Sequence, residues 1–171
     1  MKIIILTGKA RSGKNQVASI IEKNLDKKAI TISYAYYLKE YAKNILNWDG
    51  VDNTKPRTFL QELGDYVKSI DKNFLINRLL QDIEVYKKYF DVIIISDARF
   101  VEEINCIKKK YTNVNVIHIE GLDNNLTELQ KKHITEVALD NYYDYDFKIE
   151  NKKTLSDLEK NVQKIMEEIK W

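Results

Sequence analysis

A chain of 171 residues fits one domain, which at that size buries roughly 70% of its unfolded surface, so neither disulfides nor a structural metal are needed to hold a core. Its one cysteine, Cys106, excludes an internal disulfide framework and a multi-cysteine zinc site, and points to a reducing, cytoplasmic setting. Charged residues make up 32% of the chain but the net charge is only +2, which argues against a nucleic-acid polymer or a membrane surface as partner.

The apolar run at residues 3–6 is too short for a signal-peptide core, and no stretch is long and apolar enough to span a bilayer. Residues 2–7 read as a strand, followed by a glycine-bearing turn and a helix from 14 to about 25, with Val17, Ile20, Ile21 and Leu25 at helical spacing. A strand at 29–33 leads into a helix near 35–46. Residues 48–54 read as a loop, and Pro56 suits the first turn of a helix running to about 68. Another helix covers about 73–88. The run Asp91-Val92-Ile93-Ile94-Ile95-Ser96-Asp97 is apolar without alternation, as expected of a parallel strand covered on both faces near the middle of a sheet. A helix near 101–110, a strand at 114–119, a polar stretch at 121–132, a short helix near 136–139 with Thr135 as its cap, a strand at 146–149 and a helix at about 156–169 complete the pattern. Strands alternating with helices predict an α/β fold with a mostly parallel, five-stranded sheet, because parallel neighbours need crossover connections.

Between the first strand and its helix lies Gly8-Lys9-Ala10-Arg11-Ser12-Gly13-Lys14-Asn15, a G-x-x-x-x-G-K phosphate loop of the P-loop NTPase type. Its glycines let backbone amides turn toward a phosphate, the helix N-terminus adds its dipole, and Lys14 brings charge to the β and γ phosphates. Gly8, Ala10, Arg11, Ser12, Gly13, Lys14, Asn15 and Gln16 are therefore the predicted ATP-binding residues. Asn15 stands where a Ser or Thr hydroxyl usually meets Mg2+, although an amide oxygen suits the same hard cation. Asp97, ending a core strand at the carboxyl edge of the sheet, is the second candidate near the metal; a helix-capping role is the competing reading.

Arginine occurs only at Arg11, Arg57, Arg78 and Arg99 in a chain that otherwise uses lysine. Guanidinium grips phosphate in a fixed fork, so these positions are candidates for aligning phosphates, against an alternative of surface ion pairing for Arg57 and Arg78. The helical segment at about 35–88, between the second and third strands, is longer than a crossover needs and reads as an acceptor-binding insertion. The segment at about 120–140 reads as a short lid.

Taken together, Leu6-Thr7-Gly8-Lys9-Ala10-Arg11-Ser12-Gly13-Lys14, Tyr34-Ala35 with Leu38-Lys39-Glu40, Leu60-Gln61-Glu62-Leu63-Gly64, Ser96-Asp97-Ala98-Arg99-Phe100 and His133-Ile134-Thr135-Glu136 resemble the phage-type deoxynucleoside monophosphate kinases. The resemblance implies transfer of the ATP γ-phosphoryl group to a nucleoside monophosphate, with Lys14, Asp97 and Arg99 as catalytic residues. It places Tyr34, Arg57, Gln61, Arg78 and Arg99 on the acceptor side, and Mg2+ near Asn15 and Asp97. Lys131, Lys132, His133 and Glu136 would belong to the lid, which departs from the family pattern in having no arginine. Two other readings stay open: a related small-molecule kinase of the phosphomevalonate or dephospho-coenzyme A type, and a nucleotide-binding regulatory protein. Monomer and homodimer are both compatible with the sequence.

Overall fold

The computed structural model describes residues 1–51, 53–121 and 132–171. Among these, the order is β1 (Lys2–Thr7), α1 (Lys14–Asn24), β2 (Ala29–Ile32), α2 (Tyr36–Leu46), α3 (Arg57–Ile70), α4 (Phe74–Tyr86), β3 (Val92–Ala98), α5 (Val101–Lys110), β4 (Val114–Gly121), α6 (Ile134–Val137), β5 (Phe147–Asn151) and α7 (Leu155–Glu168). The sheet runs β2-β3-β1-β4-β5 and every pairing is parallel, so the expected mostly parallel sheet is parallel throughout. β1 takes the centre and β3 lies beside it. Lys131 and nearly all of the polar stretch at 121–132 fall outside the described residues.

Period-two geometry explains why β1 and β3 are apolar without interruption. Ile4, Leu6, Val92 and Ile94 point to one face, into a core with α1 and α7. Ile3, Ile5, Ile93 and Ile95 point to the other, into a core with α2, α4 and α5. All eight are at most 1% exposed. Such burial contributes roughly 1.5–3 kcal/mol per side chain, enough to make the strand ends a rigid platform for the loops that follow them.

The covering helices follow from their spacing. Val17, Ala18, Ile20 and Ile21 form the buried face of α1, Leu75, Leu79 and Ile83 that of α4, and Leu158, Val162 and Ile165 that of α7. α7 is capped by Thr154, whose hydroxyl accepts from Asp157 N while the Asp157 carboxylate accepts from Thr154 N, a reciprocal cap. α3 differs, having no fully buried residue. Leu60, Leu63 and Val67 pack half-buried against the second core, and the face that carries Arg57, Gln61 and Asp65 lines the crevice described below.

Candidate active site

At the carboxyl edge of the sheet lies a crevice of about 490 Å³. The phosphate loop forms one wall through Ala10, Arg11, Gly13, Lys14, Asn15 and Gln16. α3 forms the opposite wall through Arg57, Leu60, Gln61, Gly64, Asp65 and Lys68, residues that recur at helical spacing along one face. The floor comes from the end of β3 and the start of α5, namely Ser96, Asp97, Arg99, Phe100 and Glu103.

The loop is clamped from below. Gly8 sits at φ 135°, and a Cβ there would lie 2.3 Å from the Ile119 carbonyl oxygen, so both conformation and space demand glycine. Asn151 Nδ2 donates to Ser12 O at 3.0 Å. Gly121 is the less obvious requirement, because a Cβ there would meet Ser12 Cα at 2.5 Å. Gly121→Ala should therefore lift the loop, lowering kcat/KM by about 100-fold through misplacement of the donor site. Steady-state kinetics alongside calorimetric ATP binding would check this; unchanged values would show that the loop yields.

Lys14 Nζ donates to Gly8 O at 2.8 Å, Lys9 O at 2.7 Å and Ser12 Oγ at 3.4 Å. Burial pushes its pKa well below the ordinary lysine value, and Arg99 lowers it further while Glu136 and Asp97 oppose. It is a desolvated cation bonded to neutral oxygens, a state that favours an incoming anion. Asp97 Oδ1 accepts from Tyr34 N at 2.7 Å and Oδ2 from Ala35 N at 3.1 Å, tying the end of β3 to the start of α2. Tyr34 is buried and its hydroxyl donates to Glu103 O at 2.9 Å, so it offers a ligand ring surface rather than a hydroxyl.

Glu103 accepts through Oε2 from Arg99 N at 2.7 Å and Phe100 N at 3.1 Å, capping α5. Burial raises its carboxyl to about 7, against the lowering effect of those two amides and of Lys68. Because the folded value lies above the ordinary 4.5, the native state retains a proton that the unfolded chain releases. The resulting stability is fully present below pH 4.5 and is lost as pH rises through 7, by up to about 3 kcal/mol. Melting temperature should fall over that window, and Glu103→Gln should flatten the fall; an unchanged profile in the variant would assign the effect elsewhere.

Arg99 Nη1 donates to Glu136 Oε1 at 2.8 Å and Thr135 O at 3.4 Å. The other Glu136 oxygen, Oε2, accepts from Ala10 N at 2.8 Å. His133, not Thr135, caps α6, with Nδ1 accepting from Thr135 N at 3.3 Å. That leaves the ring proton on Nε2, which faces Asp65 Oδ2 of α3 at 3.1 Å. The helix consequently starts two residues earlier than the spacing predicted.

Solved kinases share this architecture. A dephospho-CoA kinase from Campylobacter jejuni is similar at 18% identity and TM-score 0.56, covering 99% of this chain and 98% of its own. A shikimate kinase from Aquifex aeolicus vf5 is similar at 16% identity and TM-score 0.54, over 97% and 96% of the two chains. An APS kinase from Mycobacterium tuberculosis gives 13% and 0.53 over the same shares. These likenesses establish the P-loop kinase fold. No curated protein matches the sequence. A family profile described as deoxynucleotide monophosphate kinase matches residues 32–162, most of the chain. The chain belongs to the deoxynucleotide monophosphate kinase family. It is a phosphotransferase, and the matched residues exclude the phosphate loop, which the sequence and geometry identify independently.

In this kinase the crevice brings together Ala10, Arg11, Gly13, Lys14, Asn15, Gln16, Tyr34, Arg57, Gln61, Asp97, Arg99 and Glu136 of the predicted site residues. Gly8 and Ser12 underlie the loop rather than line the crevice. Arg78 does not line it; its Nη1 donates to Gln81 Oε1 at 2.9 Å and its guanidinium lies over the Tyr37 ring at 4.4 Å. Lys132 is exposed and His133 lies outside the lining, while Lys131 lies outside the described residues. Lys55, Lys68, Phe100 and Glu103 line the crevice without having been assigned a role from the sequence. Lys68 was legible in principle, since it continues the Arg57, Gln61 and Asp65 face of α3 by one further turn; its ammonium sits 3.2 Å above the Phe100 ring. Among the described residues, no helix is long and apolar enough to cross a membrane.

Proposed function

We propose that this enzyme transfers the γ-phosphoryl group of ATP to a deoxynucleoside monophosphate, giving the diphosphate, and that it works in the cytoplasm. The observation that carries the reading is the single crevice that joins the phosphate loop and Lys14 on one side to Arg57 and Arg99 on the other. A donor bound to the loop and an acceptor phosphate bound by arginines would meet in it. The segment at about 35–88 then serves as the acceptor-binding part and the segment at about 120–140 as the lid, within one kinase domain.

The acceptor's phosphate oxygen is already anionic, so attack on the γ phosphorus needs no strong base. The new phosphorus–oxygen bond forms as the bond to the β-phosphate oxygen breaks, and ADP leaves with that electron pair. Lys14 stabilises charge on the β and γ phosphates, Arg99 bridges donor and acceptor, and Arg57 orients the acceptor phosphate. Leu38, Leu60, Leu75 and Phe100 give the crevice apolar lining suited to the flat base, with Gln61 as a hydrogen-bonding edge.

Magnesium would enter with the triphosphate. Among the described residues no three His, Cys, Asp or Glu side chains cluster to cage a metal, whereas Asn15 and Asp97 supply hard oxygen donors, a set that fits a Mg2+ retaining its water and phosphate ligands. When bound, it neutralises charge on the β and γ phosphates.

A coupled assay with ATP, Mg2+ and a panel of deoxynucleoside and ribonucleoside monophosphates tests the reading. Dephospho-coenzyme A and shikimate belong in the same panel, because the similar solved structures share only the fold. Turnover restricted to one or more deoxynucleoside monophosphates is the expected result; turnover only with dephospho-coenzyme A, or none with any monophosphate, would overturn it.

A further inference from the structure

Glu136 is a carboxylate 9% exposed, in a place where the proposed chemistry has no use for a negative charge. One of its oxygens accepts from the Ala10 amide of the phosphate loop at 2.8 Å, and the other accepts from Arg99 Nη1 at 2.8 Å. A single planar anion thus spans the donor loop and the arginine of the acceptor side. A phosphoryl group in transit between donor and acceptor calls for partners of the same two kinds, a loop amide on one flank and a guanidinium on the other. Lys14 feels both Glu136 and Arg99, so the carboxylate also lies within the field of the loop lysine.

We propose that the Glu136 carboxylate is an internal stand-in for the transferred phosphoryl group, holding Ala10 and Arg99 in the nucleotide-free enzyme and withdrawing when the γ-phosphate arrives. The inference rests on the phosphoryl-transfer reading above. Two anions cannot share the Ala10 amide and the Arg99 fork without strong repulsion, so entry of the γ-phosphate displaces Glu136 and with it α6. α6 is thereby coupled to the presence of a third phosphate. ADP has no such group; its α and β phosphates lie in the cradle nearer Gly13 and Lys14 and leave the Glu136 contact in place. Glu136 is accordingly a positioning residue, acting through Arg99 and Ala10.

Isothermal titration of ATP and ADP against wild type and Glu136→Gln tests this directly. The amide keeps the shape and loses the charge, so ATP should bind roughly tenfold more tightly to the variant, as expected when a competing occupant is removed, while ADP changes by less than about twofold. Equal shifts for the two nucleotides, no shift, or weaker ATP binding would overturn the proposal and leave Glu136 as a brace. A second measurement needs no variant: the Ala10 amide resonance of the wild-type protein should move on adding a non-hydrolysable ATP analogue and stay in place with ADP, and the reverse or an equal response would sink the idea. Both are binding measurements. A protein that binds ATP with this selectivity but phosphorylates no monophosphate would refute the transfer reading alone, whereas failure to bind either nucleotide would refute both.

Discussion

Arg99→Ala should lower kcat by about 10³-fold, the scale on which a phosphate-bridging arginine acts in phosphoryl transfer. The side chain reaches from the end of β3 into the crevice, where its Nη1 donates to Glu136 at 2.8 Å. ATP affinity should change far less than kcat, since the loop amides and Lys14 supply most of the donor contacts. Removal has a second consequence that separates it from a simple loss of catalysis. Glu136 is only 7% exposed in its side chain and would lose its cationic partner, so the fold should weaken by about 3 kcal/mol. Arg99→Lys distinguishes the two effects: it restores charge beside Glu136 and most of the stability, but not the planar fork, so kcat stays low. Single-turnover kinetics with denaturant melts would check both. If alanine and lysine variants lose activity and stability in parallel, Arg99 acts by holding α6 and not by touching phosphate.

Lys14→Met should abolish measurable transfer, by about 10³-fold or more in kcat, and weaken ATP binding, without the loss of stability that core substitutions produce. The buried ammonium is held by two carbonyls and a hydroxyl, with no carboxylate among its hydrogen-bond partners in the described residues. Desolvating such a charge costs several kcal/mol that neutral oxygens repay only in part, which offsets the cost of leaving the Gly8 and Lys9 carbonyls without this donor, so an uncharged side chain of similar length leaves the melting temperature little changed. The same reasoning explains why burial lowers the Lys14 pKa. A variant that loses both activity and stability would show that the lysine braces the loop as much as it binds phosphate. Thermal melts with and without ATP separate the cases, because the wild type should gain more stability from the nucleotide than the variant.

Much of this site could be read along the chain because its parts are local. The phosphate loop is a short segment between a buried strand and a helix, and its glycines, Lys14 and Asn15 are adjacent in sequence. The strands β1 and β3 announce themselves by unbroken apolar runs, since a strand covered on both faces has no polar side. Position at the carboxyl edge of the sheet likewise follows from strand order, and this brought Asp97 and Arg99 forward before any contact was known.

What stayed hidden depends on partners far apart in sequence. Asp97 turned out to bond the amides of Tyr34 and Ala35, a pairing across more than sixty positions that no local pattern encodes. Gly121 carries no turn signature, and only the approach of Ser12 shows why a side chain is excluded there. Arg57 and Arg78 look alike as isolated arginines in a lysine-rich chain; the orientation of α3 turns the first into the crevice, while packing of Arg78 on Tyr37 holds the second outside it. Glu136 is the clearest case: the resemblance offered it only as a lid residue, and its contacts to Ala10 and Arg99 join positions far apart in the chain. The sequence by itself determined the parallel α/β sheet and the phosphate loop, since each is set by short-range periodicity and backbone requirements, while the class of chemistry came from a family resemblance carried by motifs spread along the chain. Only the tertiary structure decided which charges meet in the crevice, because the energy of a buried charge depends on the neighbours that folding brings within a few ångströms of it.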